Sequence, residues 1–346
     1  MLRISTAAAA LLAGLVAFAQ SGSAQAQALE KPNLDVAVGG KTLIAYLPYT
    51  IAERMGLFEK EGLKVTTHDF QGGSRSLQAL VGGSADMVIG AYEHTIHTRA
   101  KGANIKAVGL MNHSFGLVVA LAKAKAASYR SPKDLVGMKI GVTTPGSASA
   151  IGLAVLLARD NIKLDQVSVI AVGTGAQSVA VMKNGQIDAI ANFDPAILLL
   201  ETEGVIQAVV DTRTQAGRDY LYGGPSTGSG FYTRDDFWAK NPRTVQAFVN
   251  AMVKAMNWMY TAKTEDIVAL VPPEFYAGGS KALYTKVVEV NRGAWSKDGL
   301  IDMKAAEATY KMLKTHEPAL QNVTVDLKLT FDNSFAEKAN AAIAKR

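Results

Sequence analysis

The 346-residue sequence contains no cysteine. Disulfide bonds, thiolate metal ligands, nucleophilic thiols and a lipid-anchored cysteine are therefore all excluded. It also lacks a long apolar run beyond its amino terminus, so no later segment predicts a membrane span, which needs ~20 apolar residues. Positive charges are scattered and no basic stripe with interleaved aromatic residues occurs, which argues against nucleic-acid binding.

The amino terminus has the three parts of an export signal. Arg3 supplies a positive charge, residues 7–19 form a short apolar run, and small residues follow at 21–28. Two Ala-x-Ala patterns, ending at Ala26 and Ala28, fit cleavage by a signal peptidase. We therefore expect residues 1–28 to be a signal peptide cleaved near Ala26 or Ala28, and the mature protein to be periplasmic.

Size and composition indicate an ordered protein of two domains. Removal of 28 of the 346 residues leaves 318, enough for two domains of common size. Hydrophobic residues make up 49% and charged residues 19%, as in globular proteins. The net charge of +6 falls to +5 without Arg3 and would attract anions weakly. We expect a monomer without metal or cofactor.

Strand-like and helix-like runs alternate through the first two hundred residues. Such alternation predicts a parallel sheet covered by helices. Predicted strands cover 34–38, 64–68, 86–89 and 105–110, and predicted helices cover 50–61, 74–81 and 93–101. The pattern after residue 233 is helical, with helices predicted at 235–240, 242–261, 281–291 and 303–315.

An internal repeat divides this α/β region into two. Gly73-Ser-Arg-Ser76 and Gly83-Ser-Ala-Asp86 recur 102 positions later as Gly175-Ala-Gln-Ser178 and Gly185-Gln-Ile-Asp188. Each copy lies in the same loop, helix, turn and strand context. The period is too long for a solenoid repeat and predicts two related α/β lobes.

The stretches between the repeats predict how the lobes are joined. Residues 115–121 and 228–233 are apolar with β-branched residues, and we expect them to be two strands that cross between the lobes. The first lobe is then 29–114 plus 225–346, and the second is 115–224.

Three loops lie where a predicted strand gives way to a helix. They are Gly72-Gly73-Ser74, Pro145-Gly146-Ser147 and Thr174-Gly175. A helix amino terminus offers free N–H groups and a partial positive charge, and can hold an anion without a basic side chain. Most such loops bind nothing, but these three converge from two lobes at the strand ends where open α/β sheets bind ligands.

Polar residues follow the repeated strand in each lobe. Tyr92, Glu93 and His94 follow the first copy, and Asn192 and Asp194 follow the second. The Glu93 carboxylate would favour a ligand with an N–H or ammonium group, which opposes a purely anionic solute. A second interpretation of Asp194 is that it only caps the next helix.

His94 and His97 are spaced to share a helix face. No second cluster of His, Asp or Glu accompanies them, so we predict no zinc site.

Four stretches resemble the nitrate/sulfonate/taurine group of ABC-transporter substrate-binding proteins, which also includes binders of thiamine-pyrimidine precursors. The stretches are Gly56-Leu-Phe-Glu-Lys-Glu-Gly-Leu-Lys-Val65, Gly83-Ser-Ala-Asp-Met-Val-Ile-Gly90, Asp134-Leu-Val-Gly-Met-Lys-Ile-Gly-Val142 and Gly185-Gln-Ile-Asp-Ala189. The resemblance implies a type II periplasmic-binding fold, with two α/β lobes, a two-strand hinge and a helical carboxy-terminal extension.

The resemblance also implies a set of ligand-facing residues. They are Tyr49, Gly72, Gly73, Ser74, Tyr92, Glu93, His94, Pro145, Gly146, Ser147, Thr174, Gly175, Asn192 and Asp194. Tyr49, Tyr92 or Phe193 would give the ligand an aromatic neighbour. The chain departs from the sulfonate binders at Glu93 and His94, where small residues or amides are usual.

The function expected from the residues and the resemblance is solute capture for an ABC importer, with a membrane permease as partner. We expect a small organic anion, a sulfonate or carboxylate, as the ligand. One alternative ligand is a nitrogen heterocycle such as a pyrimidine precursor or a flavin-like ring. Alternatives of another class are an exported sensor accessory protein and an enzyme similar to thiamine-pyrimidine synthases, whose cysteine cluster is absent. We expect no catalytic activity.

Overall fold

Two five-stranded sheets form the framework of the computed structural model, which describes residues 28–345. Residues 1–27, and with them nearly all of the predicted signal peptide, lie outside the described residues. The strands β1 to β10 in the described chain are Asn33–Val38, Lys64–Asp69, Met87–Ala91, Ile105–Leu110, Val118–Ala122, Lys139–Val142, Ser168–Ala171, Ala189–Asn192, Ile206–Asp211 and Ser229–Arg234.

The helices cover the two sheets and make up most of the chain after β10. The α-helices α1 to α16 of the described chain are Leu47–Arg54, Leu57–Lys60, Gly73–Val81, Glu93–Ala100, Lys123–Ala126, Ala148–Ala158, Gly175–Lys183, Ala196–Thr202, Gln215–Tyr222, Asp235–Lys240, Pro242–Thr261, Thr264–Ala269, Lys281–Asn291, Met303–His316, Pro318–Gln321 and Ser334–Ala344. The helix predicted over 50–61 is wrong as one element, because Gly56 adopts a left-handed φ of 61° between α1 and α2.

The two sheets have equivalent strand orders. The first is β2-β1-β3-β10-β4 and the second is β7-β6-β8-β5-β9. In each sheet the fourth strand, β10 or β5, runs antiparallel to its neighbours, and the other described pairs are parallel. The predicted fold class, two α/β lobes of a type II periplasmic-binding fold, is confirmed.

The repeated residues make equivalent hydrogen bonds in both lobes. Asp86 accepts a hydrogen bond from the amide of Asp35 at 2.9 Å, and Asp188 accepts one from the amide of Lys139 at 2.8 Å. Each carboxylate therefore anchors the start of the neighbouring strand. In both copies the helix serine, Ser76 or Ser178, donates its hydroxyl to the carbonyl three residues earlier at 2.8 Å.

The chain crosses between the lobes in two adjacent segments that precede β5 and β10. The crossing segments hydrogen-bond to each other, with the Met111 amide 2.7 Å from the Ser229 carbonyl and the Gly228 amide 3.1 Å from the Asn112 carbonyl. β5 and β10 each belong to one sheet, so the expectation that these strands themselves cross is wrong. The crossing uses residues 111–117 and 223–228.

The helices after β10 pack against both lobes. α11 lies on α1, α2 and α16 of the first lobe. α13, however, contacts α8 of the second lobe, and α14 contacts α4 of the first lobe and α6 of the second. The carboxy-terminal helices therefore bridge the lobes, and the predicted lobe boundaries stay a prediction.

Within residues 28–345, no helix combines the length and the apolar composition that a bilayer span requires.

A cluster of aromatic rings forms the centre of the first lobe. Phe248 of α11 stacks on Phe58 with ring centroids 5.0 Å apart, and lies 5.9 Å from Phe231 and 6.5 Å from Tyr49. All four side chains are fully buried. This packing fixes α11 to the sheet of the first lobe.

We expect Phe248→Ala to lower the free energy of unfolding by about 3–5 kcal/mol, because it leaves a cavity among these rings. Val290→Ala, at a half-exposed position of α13, is the matched control and should change it by less than about 0.5 kcal/mol. Denaturant titration of the mature protein measures both. Equal effects of the two variants would contradict the packing described.

Candidate functional site

Loops from both lobes touch at the carboxyl ends of the parallel strands. The Gly72 loop of the first lobe faces the Thr144–Ser147 loop of the second. The Ser74 hydroxyl lies 2.9 Å from Thr144 Oγ1, and the Ser74 amide donates to Ser147 Oγ at 3.1 Å. Ser147 thus accepts a hydrogen bond from the first turn of α3 in the opposite lobe, and its side chain makes no capping bond to its own helix α6.

The absence of a side chain at Gly72 permits this approach. A Cβ atom there would lie 2.2 Å from Thr144 Oγ1 and 2.9 Å from its Cγ2, far inside van der Waals contact. The φ of Gly72, 171°, is an extended value open to any residue. The constraint at this position is therefore the close contact of the lobes.

A second contact between the lobes involves the loop after β1. A Cβ on Gly40 would lie 2.6 Å from Thr174 Cγ2, and one on Gly175 would lie 3.1 Å from Thr42 Oγ1. The Thr42 and Thr174 hydroxyls are 3.5 Å apart. The structure therefore brings together the three glycine-containing loops predicted from the sequence and adds the 39–42 loop to them.

The Glu93 side chain lines a small cavity between the lobes. The cavity measures about 20 Å³, room for about one water molecule. Its walls come from both lobes and the crossing segments: Glu93, Phe115, Ala148, Ile151, Gly152, Phe193, Tyr222, Ser226, Thr227, Thr309 and Met312. None of these lining residues is cationic, so the carboxyl group has no ion-pair partner in the cavity.

Burial controls the ionisation of Glu93, which is 5% exposed. Loss of solvation raises its pKa to about 7, although its own backbone N–H and the charge of His97 act in the opposite direction. Burial, followed by the charge of Glu93, also raises the pKa values of Tyr46 and Tyr222. A carboxyl group whose pKa lies near neutral pH, and which is surrounded by aromatic rings, can accept a hydrogen bond from a ligand or pair with a positive charge on the ligand.

The aromatic walls are mostly residues that the sequence did not single out. Phe193 was one of the three expected, and it packs on Phe115 with ring centroids 5.3 Å apart. Tyr46 contacts the edge of Phe115 at 6.2 Å. Tyr46, Phe115 and Tyr222 come from three separate segments. Phe115 begins a predicted crossing strand, whereas no sequence pattern pointed to Tyr46 or Tyr222.

Tyr49 and Tyr92 point away from the cavity. Tyr49 is fully buried in the aromatic cluster of the first lobe, and its hydroxyl lies 2.7 Å from Thr67 Oγ1. The Tyr92 hydroxyl lies 2.6 Å from Thr330 Oγ1, on the outer side of the sheet. Neither ring lines the inter-lobe cavity, so the expectation of an aromatic wall from these two residues is wrong.

Asp194 forms a bridge between protein groups. Its side chain is fully buried and accepts hydrogen bonds from Arg213 at 3.3 Å, from Asn291 of α13 at 2.7 Å and from the amide of Leu198 at 3.0 Å. Asp194 therefore accepts a hydrogen bond from the first turn of α8, and it also binds groups outside that helix. Because these partners occupy its oxygens, Asp194 holds α13 against the second lobe and has no free contact for a ligand.

The Asn192 side chain also bonds to the protein itself. Its amide donates to the Gly173 carbonyl at 3.2 Å and thereby stabilises the loop that contains Thr174.

His94 faces a separate groove on the outer side of the same interface. Its Nδ1 lies 2.9 Å from the Tyr232 hydroxyl, and burial lowers its pKa to about 3, so the ring is neutral. Pro145 is exposed at the rim, next to Gly146, which lines the groove. Among residues 28–345, no three His, Asp or Glu side chains are grouped as a metal ion would require.

Comparison with known proteins finds one family and several similar structures. The family described as NMT1/THI5 like matches residues 44–265. A structure of a protein from Bordetella bronchiseptica RB50 is 40% identical, with a TM-score of 0.88, over 92% of this chain and 100% of that one.

Two structures with informative names are more distant. The alkanesulfonate-binding protein SsuA from Xanthomonas axonopodis pv. citri, bound to MOPS, is 19% identical, with a TM-score of 0.66, over 84% of this chain and 96% of its own. The periplasmic nitrate-binding protein NrtA from Synechocystis PCC 6803 is 16% identical, with a TM-score of 0.68, over 92% of this chain and 91% of its own. At these identities the likeness shows the fold alone.

We expect Gly72→Ala to hold the lobes apart, because its Cβ would overlap Thr144. Small-angle X-ray scattering of the mature protein should show a larger radius of gyration. Adding Thr144→Ala should reverse most of this increase, because it removes the two closest atoms and leaves only the Cβ of residue 144 at 3.0 Å. Gly293→Ala, at a glycine with open space around it, should leave the radius unchanged. An unaltered radius in Gly72→Ala would contradict the close contact.

We expect Glu93→Gln to remove a pH-dependent loss of stability. The folded-state pKa of Glu93, about 7, exceeds its usual value of 4.5, so the folded protein binds this proton more tightly than the unfolded chain. Ionisation of Glu93 lowers the free energy of unfolding. This loss is absent below pH 4.5, grows as the pH rises and is complete above pH 7, where it is at most about 3 kcal/mol. Denaturant unfolding at pH 4 and at pH 8 measures the free energy of unfolding of both proteins. The prediction is wrong if the variant and the unaltered protein differ in this free energy by the same amount at both pH values.

Proposed function

The chain belongs to the NMT1/THI5-like family, and from this premise we propose that it is the solute-binding protein of an ABC importer. The resemblance predicted from four sequence stretches is thereby confirmed. SsuA and NrtA share the fold and are named as binding proteins for alkanesulfonate and nitrate, which supports a binding role. In this role the two lobes close around a small solute, and a membrane permease receives it.

The proposed ligand is a nitrogen-containing ring that carries an N–H or ammonium group. The observation behind this choice is the buried, unpaired Glu93 carboxyl group among Phe115, Phe193 and Tyr222. An acceptor in such a place binds a donor strongly because solvent does not compete. Aromatic walls add stacking and, for a cation, attraction to the ring faces.

Glu93 also provides a reason for closure to depend on the ligand. Without a ligand, closing the lobes buries a group that is partly ionised at neutral pH, and this opposes closure. A donor on the ligand compensates the carboxylate in the closed form only. The ligand therefore shifts the population towards closure by its differential affinity for the two forms.

A small sulfonate or carboxylate is the second candidate. The amino termini of α3 and α6 meet from opposite lobes at Ser74 and Ser147, an arrangement that favours an anion. The nearby cations do not add to it, because Lys41 pairs with Glu53 at 2.6 Å and Arg213 pairs with Asp194, Glu201 and Asp211.

Export and location follow from the same role. The proposed receptor is exported by its signal peptide, cleaved near Ala26 or Ala28, and acts as a monomer in the periplasm. A catalytic role similar to thiamine-pyrimidine synthesis is disfavoured because the chain has no cysteine.

A thermal-shift screen of the mature protein tests the ligand class. The panel is made up of aminopyrimidines, methanesulfonate, aromatic carboxylates and nitrate, each at millimolar concentration. A ligand that binds only the folded protein raises the melting temperature by mass action. We expect a shift with an aminopyrimidine, and an affinity at least tenfold lower in Glu93→Gln. Glu59→Gln, at an exposed position, is the matched control and should bind normally.

Stabilisation by the anions alone would contradict the N–H assignment and leave the second candidate. The absence of a shift with every compound would contradict the receptor function itself.

A further inference from the structure

The helix α13 and the turn before it pack into the core of the second lobe. Ala277, which is 1% exposed, belongs to an apolar cluster whose other buried members in the described chain come from the second lobe. Leu283 of α13 packs against the same cluster. A Cβ atom on Gly279 would lie 3.5 Å from Leu199 Cδ1, in ordinary van der Waals contact. Moving residues 273–291 away from the second lobe would expose this apolar surface to water, at a cost in free energy.

The carboxy-terminal end of α13 is fastened to the second lobe by a polar contact. The Asn291 side chain donates to Asp194 Oδ2 at 2.7 Å. Arg213 pairs with the same carboxylate and also with Glu201 and Asp211 of the second lobe. Because the Asp194 side chain is fully buried, removing a donor from it costs more than breaking an exposed bond.

The next helix, α14, packs into the first lobe instead. Ala306 and Leu313 are fully buried in a second apolar cluster. First-lobe residues such as Ile96 and Tyr232 make up most of that cluster, and Ile151 is its second-lobe member in the described chain. Two successive helices therefore lie in different lobes. The chain must cross between the lobes in the residues that join them.

The joining residues, 292–299, run beside the first crossing segment. The His113 amide donates to the Ala294 carbonyl at 2.8 Å. The Ser296 amide donates to the Met111 carbonyl at 2.8 Å. The opposite edge of the first crossing segment bonds to the second crossing segment, as described above. The three segments therefore form one hydrogen-bonded ribbon between the lobes.

Arg292 holds the start of this third segment against the first lobe. Its guanidinium group donates to the carbonyls of Met259 and Ala262 at the end of α11, the first of these at 3.0 Å. Several donors on one planar group fix its position closely. The same end of α13 is thus held by α11 of one lobe and, through Asn291, by the other. Bending of the chain when the lobes separate is then confined to the residues after Arg292.

We propose that three chain segments join the lobes, with residues 292–299 as the third, and that residues 273–291 move as part of the second lobe while α14 moves with the first. This inference goes beyond the proposed function and holds for any solute; it rests on that function only in that the lobes separate. The contact of α13 with residues 44–46 of the first lobe is among those that opening loosens. Three bonded segments resist twisting, so the lobes separate by a bend of the ribbon.

Spin-label distances test which lobe α13 follows. The chain has no cysteine, so thiol labels attach only where cysteine is introduced. Exposed Val81 of the first lobe, Ala180 of the second and Lys286 of α13 are replaced in pairs. Double electron–electron resonance compares the mature protein with Gly72→Ala, which holds the lobes apart. We expect the distances from 81 to 180 and from 81 to 286 to lengthen together by more than about 2 Å, and the distance from 180 to 286 to stay unchanged.

If the distance from 81 to 286 stayed constant and that from 180 to 286 lengthened, α13 would follow the first lobe and the inference would be overturned. The proposed function would still stand, because the thermal-shift screen decides it separately.

A second measurement does not require the lobes to open. Asn291→Ala removes the bond from α13 to Asp194 and should broaden the distribution of distances from 180 to 286. Glu289→Ala, at an exposed position of the same helix, is the matched control and should leave that distribution unchanged. Equal widths in the two variants would contradict the attachment of α13 to the second lobe.

Discussion

The Glu93 carboxyl group is buried between the two lobes among aromatic rings, and the electrostatics of the interface depend on how that group is compensated. Its pKa of about 7 places it between its neutral and ionised forms under ordinary conditions. In the ionised form it opposes closure, since no cation lines its cavity. The fold provides the opposing force through contacts made elsewhere along the interface. In the proposed function, a ligand donor at this position would compensate the carboxylate and so would favour the arrangement in which the lobes are in contact.

Those opposing contacts are short-range and use polar groups from each lobe. Ser147 accepts a hydrogen bond from the first turn of the first-lobe helix α3. Gly72 and Gly40 allow the backbones to approach within contact distance of threonines in the other lobe. The bond between Ser74 and Ser147 has one partner in each lobe, so separating the two loops would break it and expose both partners to water, at a small net cost.

Much of the fold was predictable because it is encoded locally. Alternating apolar runs predicted the strands and helices of the first lobe, and the repeat predicted that the second lobe is equivalent to it. Asp86 and Asp188 were identified only as identities at a fixed spacing, and in the structure both anchor a neighbouring strand. The bridging of the lobes by α13 and α14 was not predictable, because an amphipathic helix pattern states that one face is buried and does not state against which partner.

For the site, the sequence by itself determined the loops and the chemistry: three glycine-containing turns before helices, and a carboxylate at a strand end. Side-chain direction was decided only by the tertiary structure. Tyr49 and Tyr92 were predicted to face the ligand, but their hydroxyls bond to Thr67 and Thr330 on other elements. Tyr46, Phe115 and Tyr222 surround Glu93 only after distant segments pack together. The physical reason is that backbone turns follow from local sterics, whereas the environment of a side chain, and hence its pKa and its freedom to bind, depends on residues far away in the chain.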